Sequence, residues 1–399
     1  CSGIDPDILC KLMGTKMLTG KSILVISPQS WGKMSLSKHH YAIELAKRGN
    51  RVYFLNPPGK RQDRKKGAVT IVPAEATPGL WLIEHRLWFP YSLKFHALPL
   101  FHALMRFHVA RIMRQIGRPV DLVWSFDLGN LYPFRLFGRR PHKIFHPVDE
   151  PLNQVAIDSA KDAEILFSVT REIVDKYKAF PAPGYFINHG LAEEFLTKGP
   201  AAWEKSLPLR VGLSGNWTRP DIDTACLLEI IRGQPAVIFE FWGSYVSADS
   251  NIGGNSDPAI ENFLRELQHA PNVILHGPVP SARLAEELRR VDAFLICYDV
   301  QKDQSKGTNY HKVMEYLSTG KVIIANNITT YRDRPDLVQM VPERDSNHSL
   351  PRLFDTVIGN IEKYNTESLR QARHSYAVDN AYQKQLDRIA GILESTLHE

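Results

Sequence analysis

The chain has 399 residues, 43% hydrophobic and 23% charged, with 49 Lys and Arg against 43 Asp and Glu and a formal charge of +6. It is long enough for two ordinary domains and too apolar to stay disordered. No apolar run reaches the ~18 residues of a spanning helix, and Cys1, Cys10, Cys226 and Cys297 lack metal-ligand spacing, which points to a soluble or peripheral, cytoplasmic protein in a reducing compartment.

Residues 1–16, CSGIDPDILCKLMGTK, share no rhythm with the rest of the chain and carry no signal-peptide core. With residues 17–20 they read as an N-terminal extension of vector origin. Gly20-Lys21-Ser22 imitates the end of a P-loop, but Thr15 stands where its first glycine belongs and no strand precedes it.

From Lys21 the chain alternates. SILVIS (22–27) is a continuous apolar strand, SLSKHHYAIELAKRG (35–49) an amphipathic helix stopped by Gly49, and RVYFLN (51–56) the next strand. Strands follow at 121–126, 143–146, 164–169 and 184–188. A polar segment with Gly199, Pro200 and Pro208 breaks the pattern, and it restarts at 209–215, 236–243, 272–277, 292–298 and 321–326. This is α/β architecture, two doubly wound Rossmann-like domains over 21–200 and 201–365, followed by a long polar helix over 366–399 that returns toward the first domain. Two such sheets facing a cleft bind ligands at the C-terminal ends of their strands, where helix N-termini favour an anion. No G-x-G-x-x-G is present, which argues against a nicotinamide or flavin enzyme.

The most informative stretch is TNYHKVMEYLSTGKVIIANN, 308–327, a short helix ending at Gly320 and then a buried strand. Lys312 and Glu315, three residues apart, share one helical face. A Thr308 or Asn309 cap would leave backbone N–H groups aimed at an anion beside the Lys312 charge. Glu315 is placed to accept paired hydrogen bonds from a diol. Together they describe a nucleoside-diphosphate site.

N-Y-H-K-V-M-E-Y-L-S-T-G-K-V-I-I-A-N resembles the signature helix of GT-B glycosyltransferases of the "glycosyl transferases group 1" class, of bacterial polysaccharide and teichuronic-acid type. NVILHGPVPSARLAEELRRVDAF, KHHYAIELAKRGNRVYFLNPP and DAEILFSVTREIVDKY extend the resemblance over nearly the whole chain from residue 21. It implies a nucleotide-sugar donor on the second domain, an acceptor on the first, and neither a metal nor another cofactor. Lys312 carries over as a phosphate contact and Glu315 as the ribose contact. Arg219, Gly215 and Asn216 fall in the loop after the second domain's first strand, and His276, Gly277 and Val279 are expected to border the base, chiefly through backbone. The resemblance also implies a glutamate eight residues before Glu315, contacting the donor sugar, but Gly307 stands there. Lys302 and Lys306 lie in the same loop, as phosphate contacts or as a solvated pair.

Sugar transfer builds negative charge on a leaving diphosphate and takes a proton from an acceptor hydroxyl. Three first-domain candidates for that proton fall just after strands: Asp127 in WSFDLGN, and His146 and Asp149 in KIFHPVDEP. Gly32, in SPQSWGKMSLS, would let backbone approach a ligand.

The stretch 85–118 holds no Asp or Glu, yet carries Arg86, Lys94, Arg106, Arg111, Arg114 and Arg118 beside Trp88, Phe89, Tyr91, Phe95, Phe101 and Phe107. Basic residues beside interfacial aromatics suit an anionic membrane surface, and the basic run 60–66 would assist. No nucleic-acid module is recognisable. The chain thus reads as a hexosyltransferase taking a UDP-sugar first and a GDP-sugar second, by family frequency, to a saccharide or lipid-linked acceptor in surface-polysaccharide or glycolipid synthesis. A nucleotide-sugar epimerase on the same fold and a degenerate nucleotide-binding partner protein are the alternatives.

Overall fold

The computed structural model describes residues 17–32, 36–59, 65–245 and 258–397. Residues 1–16 of the expected N-terminal extension and the basic residues 60–64 lie outside them. The chain divides into two compact units: the described residues up to Asn188 together with those from Tyr382 onward, and His189–Ala381.

The first unit is built on β1 (Ser22–Ile26), β2 (Arg51–Leu55), β3 (Val69–Pro73), β4 (Leu80–His85), β5 (Leu122–Ser125), β6 (His142–Phe145), β7 (Ile165–Ser168) and β8 (Gly184–Phe186). They form one sheet in the order β3-β4-β2-β1-β5-β6-β7-β8. All neighbours are parallel except β3 and β4. β1, β5 and β7 are buried along their whole length, which is why they read as unbroken apolar runs. The β3–β4 ribbon is not foreseen from sequence, because VTIVP is an edge strand with no buried position to give it a pattern. Leu18 is fully buried and its carbonyl accepts from Asn50 Nδ2 at 2.7 Å, so the fold takes up the chain before Lys21.

The second unit holds β9 (Leu209–Ser214), β10 (Val237–Trp242), β11 (Val273–Gly277), β12 (Ala293–Ile296), β13 (Val322–Ala325) and β14 (Gln339–Met340), all parallel, in the order β11-β10-β9-β12-β13-β14. The strand order reverses between β9 and β12, the place where such sheets open to a ligand. The segment from His189 belongs to this unit, since Leu191 and Phe195 are buried in its core.

The expected C-terminal helix is two helices, Glu367–Asp379 and Tyr382–Leu397, one in each unit. The break has a cause: Leu191 pairs with Ala381 as a parallel bridge and its N–H takes the Asn380 carbonyl at 2.9 Å, which removes that oxygen from the helix ladder. No helix among the described residues is long and apolar enough to cross a membrane.

The helix Lys312–Thr319 is closed by Gly320, at φ 81°. Fully buried Arg373 donates to the Gly320 and Tyr364 carbonyls at 3.2 and 2.7 Å, setting a cation at the helix's negative end. A Cβ at position 320 would meet the Arg370 carbonyl and Pro200 Cβ, both at 2.8 Å. Gly320→Ala is therefore expected to lose about 2 kcal/mol or more, from backbone strain plus overpacking. The measurement is the urea midpoint, and an unmoved midpoint would mean the turn relaxes freely.

Candidate functional site

The helix Lys312–Thr319 grips the end of β9 with two side chains one turn apart. Buried Lys312 donates from Nζ to the Ser214 carbonyl and, at 2.7 Å, to the Tyr298 hydroxyl, and lies 4.9 Å from the Tyr298 ring centre. Tyr316 accepts from the Ser214 N–H at 2.7 Å and stacks on Phe294 with centroids 4.0 Å apart. Burial works against the Lys312 charge, but Tyr298, Tyr316 and Glu315 outweigh it and hold the ammonium above its ordinary pKa. Glu315 keeps 21% of its side chain open, 4.0 Å from the His311 ring. Burial, helped by Glu194 and opposed by Lys312, lifts its carboxyl to about 7.

Neither Thr308 nor Asn309 caps this helix. The flanking residue is His311, without a side-chain cap bond. Thr308 is buried, donates from Oγ1 to the Ser305 carbonyl at 2.8 Å, and is braced by Thr330. The Thr308 hydroxyl is thus turned to its own loop, and Asn309 Oδ1 accepts no helical N–H.

Beside Lys312, β9 and β10 are each followed by a glycine and the neighbouring β11 ends in one. Gly215 N–H bonds the Trp242 carbonyl at 3.0 Å and Gly243 N–H the Gly277 carbonyl at 2.8 Å, so the ends of β9, β10 and β11 are tied edge to edge. A Cβ at Gly243 would sit 1.8 Å from the Gly215 oxygen, and one at Gly215 would sit 2.9 Å from Lys312 Nζ. Both positions demand a bare backbone, which is what close approach of a ligand requires. Gly243 is not among the residues singled out from sequence, although L-S-G, F-W-G and L-H-G repeat the same signal at three strand ends.

The other expected contacts in this unit are more committed to the protein itself. Asn216 Oδ1 accepts from Thr218 N–H at 3.0 Å and so shapes its own loop. Arg219 is held by both oxygens of Asp221, with Asp303 at 3.9 Å, and its guanidinium carbon is 5.7 Å from the Tyr298 ring. Its guanidinium is thereby engaged by carboxylates of the protein itself. His276 turns its side chain to Glu240, at 2.7 Å, and stacks on Trp242 at 4.8 Å. Val279 packs against the core. Lys302 pairs with Asp299 at 3.1 Å.

Gly307 has φ 66°, and a Cβ there would meet the Asn327 carbonyl at 2.7 Å. A glutamate cannot occupy this position with the loop as it stands. The acid of the loop is buried Asp303, which accepts from Gly307 N–H at 3.2 Å and the Tyr310 hydroxyl at 2.7 Å.

In the first unit the three proton-acceptor candidates separate. Asp127 is buried, and its two oxygens accept from the N–H groups of Gly129 and Leu131 at 2.8 and 2.7 Å, a loop-forming role. His146 is fully buried, burial holds its imidazole down to about 3, and Nδ1 accepts from Trp124 Nε1 at 3.3 Å. Neutral, with its lone pair taken, it is a poor base. Asp149 alone is exposed. It faces Lys38, a buried ammonium that burial pulls to about 8 against the Asp149 charge and that donates to Gln29. Gly32 is exposed, and a Cβ there would meet only the Ser30 carbonyl, at 4.0 Å, so nothing in the fold demands glycine there.

No protein-family model and no curated protein sequence matches the chain. Solved structures do. A sucrose-phosphate synthase from Thermosynechococcus elongatus aligns with TM-score 0.66 at 11% identity, over 95% of this chain and 99% of that one. A UDP-forming α,α-trehalose-phosphate synthase from Burkholderia vietnamiensis aligns with TM-score 0.65 at 13% identity, over 94% and 97%. Anabaena HepE in complex with UDP-glucose aligns with TM-score 0.62 at 14% identity, over 94% and 100%. The chain has the GT-B fold. At such identities the likeness is one of architecture.

Glu315 supplies a test of the site's electrostatics. Its folded pKa, about 7, lies above the ordinary 4.5, so the folded state holds the proton more tightly. The stability this gives is present at low pH and is lost as pH rises from about 4.5 to about 7. Glu315→Gln, which cannot ionise, should match the parent protein near the lower end of that window and melt progressively higher than it toward alkaline pH. A melting difference that stays flat across the range would assign Glu315 an ordinary carboxyl.

Proposed function

We propose that the protein is a glycosyltransferase, moving a hexosyl group from a nucleotide-sugar donor to a saccharide or lipid-linked acceptor in the synthesis of a cytoplasmically assembled surface polysaccharide or glycolipid. The reading rests on Lys312 and Glu315, a buried cation and a half-buried carboxylate on one turn, beside side-chain-free backbone at Gly215, Gly243 and Gly277. In this reading Lys312 contacts the diphosphate and stabilises the charge that grows on it as the glycosidic bond breaks. Glu315 accepts from the two ribose hydroxyls. A UDP-sugar is the first choice, supported by the UDP-bound Anabaena and UDP-forming Burkholderia structures, and a GDP-sugar the second. Cationic and helix-dipole stabilisation of the leaving group stands in for a metal, so turnover is expected to persist in excess chelator. Of the candidate acids Asp127 and Asp149, the exposed Asp149 is the one this reading assigns to the acceptor hydroxyl.

A nucleotide-binding protein without turnover is the reading that Gly307 favours, because no side chain at that position can touch a sugar. Slow release of UDP from a UDP-sugar in the absence of acceptor supports the transferase. Tight UDP binding with no such release supports the binder.

Calorimetric titration with UDP and GDP tests the shared site. Lys312→Ala and Glu315→Ala are each expected to weaken binding at least tenfold, about 1.4 kcal/mol. Because Glu315 must be ionised to accept two hydrogen bonds, parent affinity should also rise with pH through about 7. Unchanged affinity in both variants would remove the nucleotide from this helix.

A further inference from the structure

The described chain exposes ten large apolar side chains, and five of them, Trp88, Tyr91, Phe95, Leu100 and Phe107, fall within twenty residues of one another. The most exposed of these five, Phe95 and Phe107, are 71% and 67% open. They belong to the helix Leu98–Ile116 and the turn before it. The helix buries Phe101, Met105, Val109, Ile112 and Ile116 in the core, so its register is settled. Leu100, Phe107, Arg111 and Arg114 then share its outward stripe, apolar at the start and cationic at the end, with exposed Arg118 just beyond.

The apolar and basic parts form one patch. Buried Gly67 lies between Trp88 and Arg111: a Cβ there would be 3.3 Å from Trp88 Cβ and 3.4 Å from Arg111 Nη1. Exposed Lys65 and Lys66 adjoin it. Lys94 Nζ stands 5.6 Å from the Tyr91 ring centre and 5.9 Å from that of Phe95. From His85 to Arg118 the chain has no carboxylate of its own.

We propose that this face rests on an anionic lipid bilayer, with Phe95, Leu100 and Phe107 entering the acyl boundary, Trp88 and Tyr91 at headgroup depth, and Arg111, Arg114 and Arg118 on lipid phosphates. Charge complementarity selects the partner. Apolar side chains without hydrogen-bonding groups gain nothing from a solvated polyanion, whereas a bilayer takes up both halves of the patch. The inference stands apart from sugar transfer.

The test is co-sedimentation of the full chain with vesicles of phosphatidylcholine alone or of an equal mixture with phosphatidylglycerol. Binding is expected only to the mixture and should be lost at high salt, where the Debye length shrinks to about 3 Å. Arg111→Gln, Arg114→Gln and Arg118→Gln together should abolish it, and Phe95→Ser with Phe107→Ser should lower it at least about tenfold. All five positions are exposed, so the variants should keep the parent melting temperature and nucleotide affinity, which separates this outcome from that of the transferase reading. Equal binding to both vesicle types, no binding to either, or binding to a random oligonucleotide that the serine substitutions leave untouched would each overturn the proposal.

Discussion

A buried ammonium at the end of β9 organises the second unit. Taking Lys312 out of water is costly, and the fold offsets that cost with the Ser214 carbonyl, the Tyr298 hydroxyl and the Tyr298 ring face. All of these are neutral. An ammonium has three protons, and these two oxygens engage two of them. A cation held by neutral groups keeps its field for a ligand, whereas Arg219 is already engaged by the carboxylate of Asp221. The two residues are therefore not equivalent anion sites, although both adjoin the Tyr298 ring.

The same contact explains the glycines. Lys312 can reach Ser214 only because Gly215 has no side chain, and Gly215 can lie against Gly243 only because Gly243 has none. Backbone hydrogen bonds carry the arrangement on to Gly277. Asn326 holds the other side of the cage, accepting the Tyr298 N–H at 3.0 Å from the end of β13. Substitutions at these positions act on Lys312 through the backbone, with no change of charge.

Glu315 shows how one helical turn produces two environments. Lys312 points into the strand ends and is stabilised as a cation. Glu315, three residues on, feels burial more strongly than it feels Lys312, with Glu194 adding to the burial, and its carboxyl is lifted to about 7. A carboxyl in this range gives the site a protonation state that changes under physiological conditions.

The strand–helix alternation, the helix ending at Gly320 and the placing of Lys312 and Glu315 one turn apart on it were legible in the sequence, because they rest on local periodicity and on near neighbours in the chain. The apolar–basic character of 85–118 was legible for the same reason. Tertiary structure alone decided which groups meet: Ser214 and Lys312 are 98 residues apart, and no local pattern announces that contact. It decided that His146 and Asp127 face inward while Asp149 faces water, a matter of what packs over each loop. It ended the C-terminal helix at Asn380, where a backbone partner from Leu191 competes with the helix ladder. It also withdrew the Thr308 and Asn309 caps and closed position 307 to any side chain, since a loop's path depends on what it must pack against. Burial and charge neutralisation depend on residues distant in the chain, whereas helical and strand periods depend only on near neighbours, and the line between what sequence and fold each determined follows that difference.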